Sequence, residues 1–113
     1  TSTGRVLLAS LSDVEFEAWA HARSLPRLTV HTCTDMVKFR DIIAQIRVDD
    51  FAVANQEHEL GVHALAVPLR NIQGSTVAAL NVVTQPSRLE PQALLRELLP
   101  LLQDAAREVR QLM

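Results

Sequence analysis

The feature that most constrains this chain is a pair of short alternating runs, Val62–Arg70 and Thr76–Thr84, separated by Asn71-Ile72-Gln73-Gly74. Aliphatic and β-branched residues dominate both runs, and the stretch between them is turn chemistry, so the pair predicts a β-hairpin. With 71–74 as the loop, Arg70 faces Ser75, Ala66 faces Ala79, Ala64 faces Asn81 and Val62 faces Val83. Alternation then separates two faces. One carries His63, Leu65, Val67, Ala78, Leu80 and Val82, bulky enough for an ordinary core. The other carries Val62, Ala64, Ala66, Ala79, Asn81 and Val83, and is small with one amide in its middle. A small patch leaves room for a ligand, and Asn81 offers both a donor and an acceptor. The competing reading is a helix packed closely on the alanines, with Asn81 bonded to a loop. A loop changed by one residue puts Ala64 and Asn81 on opposite faces. Pro68 cannot donate to a ladder, so that end belongs at an edge or a bulge.

Helical signals surround the hairpin. Residues 2–9 read as a short helix with Ser2 or Thr3 as N-cap. Ser12 and Glu15 form a capping box, with Leu11 and Phe16 at staple positions, and the helix they open should run to about Arg23. Pro26 ends that region, and 27–34 is extended or loop. Thr34 or Asp35 caps a helix with Phe39, Ile42, Ile43 and Ile46 on its apolar face and Lys38, Arg40, Asp41 and Arg47 on its wet side. Phe51–Asn55 is a short strand. Pro91 opens the last helix, whose stripe is Leu94, Leu95, Leu98, Leu102, Ala105, Val109 and Leu112; Pro100 inside it predicts a kink or break.

One domain with an aliphatic core fits 113 residues that are 48% hydrophobic but only 4% aromatic. Net charge is −2, which argues against tight nucleic-acid binding by this segment itself. A single cysteine, Cys33, rules out an internal disulfide and fits a reducing, cytoplasmic setting. Neither a membrane-length apolar run nor a leader is visible. The chain starts at Thr1 rather than Met, as expected of a piece of something longer.

Catalytic chemistry finds little support. Glycine-rich phosphate loops and nucleophile elbows are missing from the sequence, and Cys33 with His31 lacks an orienting group. A half-buried structural thiol is the simpler reading of Cys33. Glu57-His58-Glu59 matches no common metal spacing and reads as a solvated or capping turn. Arg23, Arg27 and Arg40 read as solvated charges. Thr1-Ser2-Thr3-Gly4-Arg5 joins hydroxyls, a helix start and a cation, which suits a carboxylate, or else simple capping. No enzyme, cofactor or metal is expected.

Four stretches, in order, carry a family resemblance: Thr3-Gly4-Arg5-Val6-Leu7-Leu8-Ala9; His31-Thr32-Cys33-Thr34-Asp35; Gln56-Glu57-His58-Glu59-Leu60-Gly61; and Ala66-Val67-Pro68-Leu69 through Ala78-Ala79-Leu80-Asn81-Val82 to Ser87-Arg88. Together they resemble the C-terminal effector-binding domain of IclR-type bacterial transcription regulators, most of all regulators of aromatic-acid breakdown through protocatechuate and β-ketoadipate. The resemblance implies an α/β (α+β), GAF-like or profilin-like antiparallel sheet flanked by helices. It implies that 1–113 is a single effector-binding domain whose winged helix-turn-helix lies elsewhere, so that DNA is met only through that missing part. It further implies a small organic acid effector, aromatic or keto acid, and self-association as a homodimer or tetramer. The effector residues it implies are Ser2, Thr3, Val62, Ala64, Asn81 and Val83, with Asn81 as polar anchor. The alternative is a dimerisation domain without a working pocket. The chain departs from the family where Ala54 and Asn55 replace a frequent acid, where His63 replaces a frequent Arg, and where Gln56-Glu57 replaces a Glu-Glu pair.

Overall fold

The computed structural model describes residues 1–21, 23–85 and 90–113. Ser87-Arg88, the end of the fourth stretch above, lies outside them. The elements are α1 (Ser2–Ala9), α2 (Asp13–Ala20), α3 (Met36–Asp49), β1 (Ala52–Asn55), β2 (His63–Arg70), β3 (Thr76–Thr84) and α4 (Pro91–Arg110). The strands form one antiparallel sheet in the order β1-β2-β3. The expected α+β class is therefore what the chain adopts.

Local chemistry explains the helix starts. Ser12 accepts from the Glu15 amide while Glu15 accepts from the Ser12 amide, so the capping box forms as expected. Asp35, rather than Thr34, caps α3 through the Val37 amide. The cap of α1 is Thr1, not Ser2 or Thr3; its Oγ1 accepts from Gly4. The helix α2 stops at Ala20, short of Arg23, with His21 already extended. Pro100 does not break α4, which continues to Arg110.

The hairpin register differs from the sequence count by two residues. Ala64 faces Val83, Ala66 faces Asn81 and Pro68 faces Ala79. Two local insertions cause this. The loop runs one residue longer, to Ser75: Asn71 donates to the Ser75 carbonyl, and its side-chain oxygen accepts from Gln73 and Ser75. Gly74 supplies the left-handed turn, at φ +86°. A bulge then leaves Val77 without a cross-strand partner, because Arg70 pairs with Thr76 and Leu69 with Ala78. Two one-residue shifts preserve parity, so every residue keeps the face assigned to it. Val62 falls outside β2, in the loop before it, where its carbonyl accepts from Gln56. Pro68 lies beyond the last β1–β2 pair, Ala52–Ala66, and beside the bulge, so its missing N–H costs the β1 ladder nothing.

Helices cover both faces. The small face meets α1, α2 and α3: Val6, Phe16, Ala20, Phe39, Ile43 and Ile46 form one buried cluster with Ala52 and Ala66, and Ala79 packs against it. Alanine on the sheet is what lets α1 approach so closely. The bulky face, with fully buried Leu65 and Val67, is the side of α4, whose Leu94 is also fully buried.

Candidate functional site

The direction of α1 decides what surrounds the small face. At its C-terminal end, Ala9 and Ser10 share a cleft wall with Pro68, Arg70 and Thr76. Nearer its start, Arg5 reaches the Val53 carbonyl and Glu57. The helix therefore lies along the strands with its N-terminus toward the Ala64–Val83 end of the sheet. Beneath its body, Ala66 is fully buried. Level with it on β3, its partner Asn81 is exposed; one pair further along the same face Ala54 is buried, Ala64 half-buried and Val83 55% exposed. A helix thus packs on Ala66 and Ala79, as in the competing reading, but Asn81 is exposed and among the described residues its side chain bonds to no loop.

The start of α1 suits an acceptor. The Thr1 carbonyl takes the Arg5 amide and its hydroxyl takes the Gly4 amide. Among the described residues, the Ser2 and Thr3 amides find no acceptor, as expected of a first helical turn. Ser2 is buried and Thr3 half-buried. Ala64 and Val83 pair on the small face toward the end of the sheet where Ser2 and Thr3 begin the helix, Asn81 lies on the same face level with Ala66, and Val62 stands in the loop leading into β2.

The cation of the first motif is engaged elsewhere. Arg5 is only 6% exposed. Its Nη1 donates to Glu57 Oε2 and to the Val53 carbonyl, both at 2.8 Å, and its Nη2 donates to Glu57 Oε1 at 2.5 Å. Its guanidinium also stands 5.7 Å from the Phe39 ring centre. Glu57 Oε1 accepts a further bond from the Cys33 amide. Thr29 donates to the Gln56 carbonyl and Thr32 to the Glu57 carbonyl, fixing the 29–34 segment against the turn. Glu57 is thus an ion-pair partner, and no group of three potential metal ligands gathers among the described residues. Arg40 is likewise paired, to Glu17 through two bonds of 2.9 Å. Beside Arg5 and Glu57 is a cavity of about 250 Å³ walled largely by Leu8, Trp19, Leu25, Leu28 and Phe39. Sequence reasoning missed this pair, which joins residues 52 apart.

Comparisons with known proteins fall on one family. Residues 1–111 match the family model "Bacterial transcriptional regulator IclR C-terminal". The p-hydroxybenzoate hydroxylase transcriptional activator of Acinetobacter baylyi is 45% identical over 113 residues, 99% of this chain and 41% of the relative. The Pca operon regulatory protein of the same organism is 42% identical, covering 100% of this chain and 41% of that protein. Among solved structures, the PobR inducer-binding domain of Acinetobacter, a double mutant in complex with 3-hydroxybenzoic acid, superposes with a TM-score of 0.95 at 44% identity. That match covers 100% of this chain and 65% of the solved one. The chain thus spans less than half the length of these curated relatives, which are transcriptional regulators rather than enzymes.

Proposed function

The chain belongs to the IclR family of bacterial transcriptional regulators, and we propose that it is the effector-sensing and self-associating part of a regulator of aromatic-acid breakdown. The effector is a small aromatic or keto acid. It sits on the open end of the small face, with its carboxylate at the Ser2 and Thr3 amides and a ring substituent at Asn81, between Ala64 and Val83 and beside Val62. The observation that carries this is a helix N-terminus whose Ser2 and Thr3 amides lack acceptors, directed toward the end of the small face where Val83 is exposed, with the exposed Asn81 two residues before Val83 on the same strand and face. The neighbour solved with 3-hydroxybenzoic acid supports the ligand class.

Occupancy stabilises the bound arrangement and so shifts a population of domain arrangements. The DNA-binding part, a winged helix-turn-helix outside this chain, reads the shift as a change in operator affinity. Such a regulator works in the cytoplasm as a homodimer or tetramer.

The test is a thermal shift on the intact regulator with 4-hydroxybenzoate, protocatechuate, 3-hydroxybenzoate and β-ketoadipate. A ligand at a hundred times its dissociation constant stabilises by about 2.7 kcal/mol. Asn81→Ala, at an exposed position, should fold normally and lose most of that shift. A full shift in Asn81→Ala rejects the anchor; no shift with any acid rejects the sensor and leaves a dimerisation domain without a working pocket.

A further inference from the structure

A small acid that reaches both the Ser2 and Thr3 amides and Asn81 needs the start of α1 held at one place over the sheet. Packing alone does not hold it there. Val6 is buried and clusters with Ala52 and Ala66 of the small face. Burial of this kind is non-directional, and alanine methyls offer a helix little to stop it sliding or turning. Directed bonds do that. At the far end of α1, Arg47 of α3 donates to the Ala9 carbonyl at 3.1 Å. At the near end, among the described residues, Arg5 is the one side chain of α1 that bonds to the sheet or to the turn after β1.

The bonds of Arg5 land beside the effector seat. Arg5 follows Ser2 by three residues, and both lie on the buried face of α1. Its Val53 acceptor stands one residue before Ala54, which pairs with Ala64, which in turn pairs with Val83. Its Glu57 partner follows Gln56, whose amide donates to the Val62 carbonyl at 2.8 Å and whose side-chain Oε1 accepts from the Gly61 amide at 3.1 Å. The pair therefore runs from the carboxylate end of the seat to the strand row and the loop that bound it. The turn is itself braced from behind: Thr29 donates to the Gln56 carbonyl, Thr32 to the Glu57 carbonyl and the Cys33 amide to Glu57 Oε1. Gln56 sits at φ +57°, a conformation that a residue other than glycine keeps only where its surroundings impose it.

We infer that Arg5 and Glu57 are the positioning residues of the effector seat: their bond sets where the Ser2 and Thr3 amides stand relative to Asn81, and so how well one acid spans both. The inference rests on the seat proposed above and adds to it two residues that stand outside it. A bidentate guanidinium–carboxylate bond fixes an angle as well as a distance, and the Val53 bond adds a third point. Without these bonds α1 keeps its apolar contacts, but its start is free to shift. A seat built for one molecule then matches it at one end at a time. The effect of the pair on affinity is therefore separable from its effect on stability.

The test is isothermal titration of the intact regulator with 4-hydroxybenzoate, protocatechuate, 3-hydroxybenzoate and β-ketoadipate, with the melting temperature of every variant measured alongside. Glu57→Gln breaks the pair and should lower both stability and affinity. Arg5→Leu with Glu57→Leu leaves no unpaired charge, and replacing both ends of a buried pair costs far less than breaking it. That paired variant should regain most of the lost melting temperature and still bind the acid about tenfold more weakly than the unaltered regulator. Arg5→Lys keeps the charge but cannot hold two carboxylate oxygens and a carbonyl in one plane. It should stay folded and weaken binding to a similar degree. The factor lost to Asn81→Ala should also shrink in the paired variant, because carboxylate and anchor no longer engage together. The inference is overturned if the paired variant regains affinity together with stability, since the pair then acts through stability alone. It is also overturned if Asn81→Ala costs the same factor in both backgrounds, or if Arg5→Lys binds as tightly as the unaltered regulator. In each of these outcomes the effector seat stands. Failure of all four acids to bind the unaltered regulator rejects the seat and the positioning role with it.

Discussion

Arg5 and Glu57 show what one residue pair can hold together and what it costs to disturb. Both side chains are largely withdrawn from water, at 7% and 19% exposure, and their bidentate bond ties α1 to the turn after β1. Removing one partner leaves the other charge buried and uncompensated, which costs about 3 kcal/mol or more, whereas replacing both with apolar residues costs far less. Glu57→Gln should therefore lower stability by about 3 kcal/mol, and Arg5→Leu with Glu57→Leu should recover much of that loss, both read by chemical denaturation. Equal destabilisation by the single and the double variant would show that the pair acts through packing and not charge. Nothing in the sequence announced this bond. Arg5 reads as a cation beside a helix start and Glu57 as part of a solvated acidic turn, because a contact between residues 52 apart leaves no periodic or local trace. The capping box at Ser12 and Glu15 was legible for the opposite reason: both partners sit within one turn.

At the scale of elements, legibility followed periodicity. The run Phe39, Ile43, Ile46 marks the buried side of α3, and alternation assigned both faces of the hairpin. Register was lost because the extra loop residue and the Val77 bulge have no sequence signature of their own. The last helix shows how packing overrides propensity. Proline inside a helix removes a backbone bond and costs about 3 kcal/mol, yet α4 runs unbroken from Pro91 to Arg110. Two anchors hold it across Pro100. Leu94 is fully buried before it, and Arg110 after it donates to the Asn71 carbonyl of the hairpin loop. Pro100 itself is exposed, so Pro100→Ala should fill no space and stabilise the domain by about 1–3 kcal/mol. Leu94→Ala should destabilise it by about 3 kcal/mol, since the void lies between α4 and the sheet. Denaturant midpoints measure both. A neutral Pro100→Ala would mean that α4 already bends enough to relieve the clash.

The molecule as a whole is tied by ion pairs between elements that the chain separates. Glu17 of α2 meets Arg40 of α3, Asp13 meets Arg47, and Asp50 after α3 meets Arg70 of β2. These contacts give stability a pH dependence whose sign can be worked out. The hydrogen bond from Arg70 holds the Asp50 carboxyl below its ordinary value of 3.8, and that from Arg40 holds Glu17 below 4.5. A carboxyl depressed in the folded state contributes stability that is complete above its unfolded value and is lost as pH falls through the folded one. Stability should thus be level from pH 7 to about 5 and fall below about 4.5 as these carboxylates take up protons. Asp50 also occupies the left-handed position that ends α3, at φ 64°, a conformation asparagine tolerates as well as aspartate does. Asp50→Asn therefore removes the charge without adding backbone strain. Asp50 and Arg70 are 50% and 37% exposed, so solvent screening limits the loss at pH 7 to roughly 0.5 kcal/mol. The diagnostic is the difference between the two proteins. It should be constant above about pH 5 and shrink toward zero in acid, where the wild-type carboxyl is protonated too. A difference that stays constant down to pH 2 would place the effect of Asp50 in the turn and not in its pairing with Arg70.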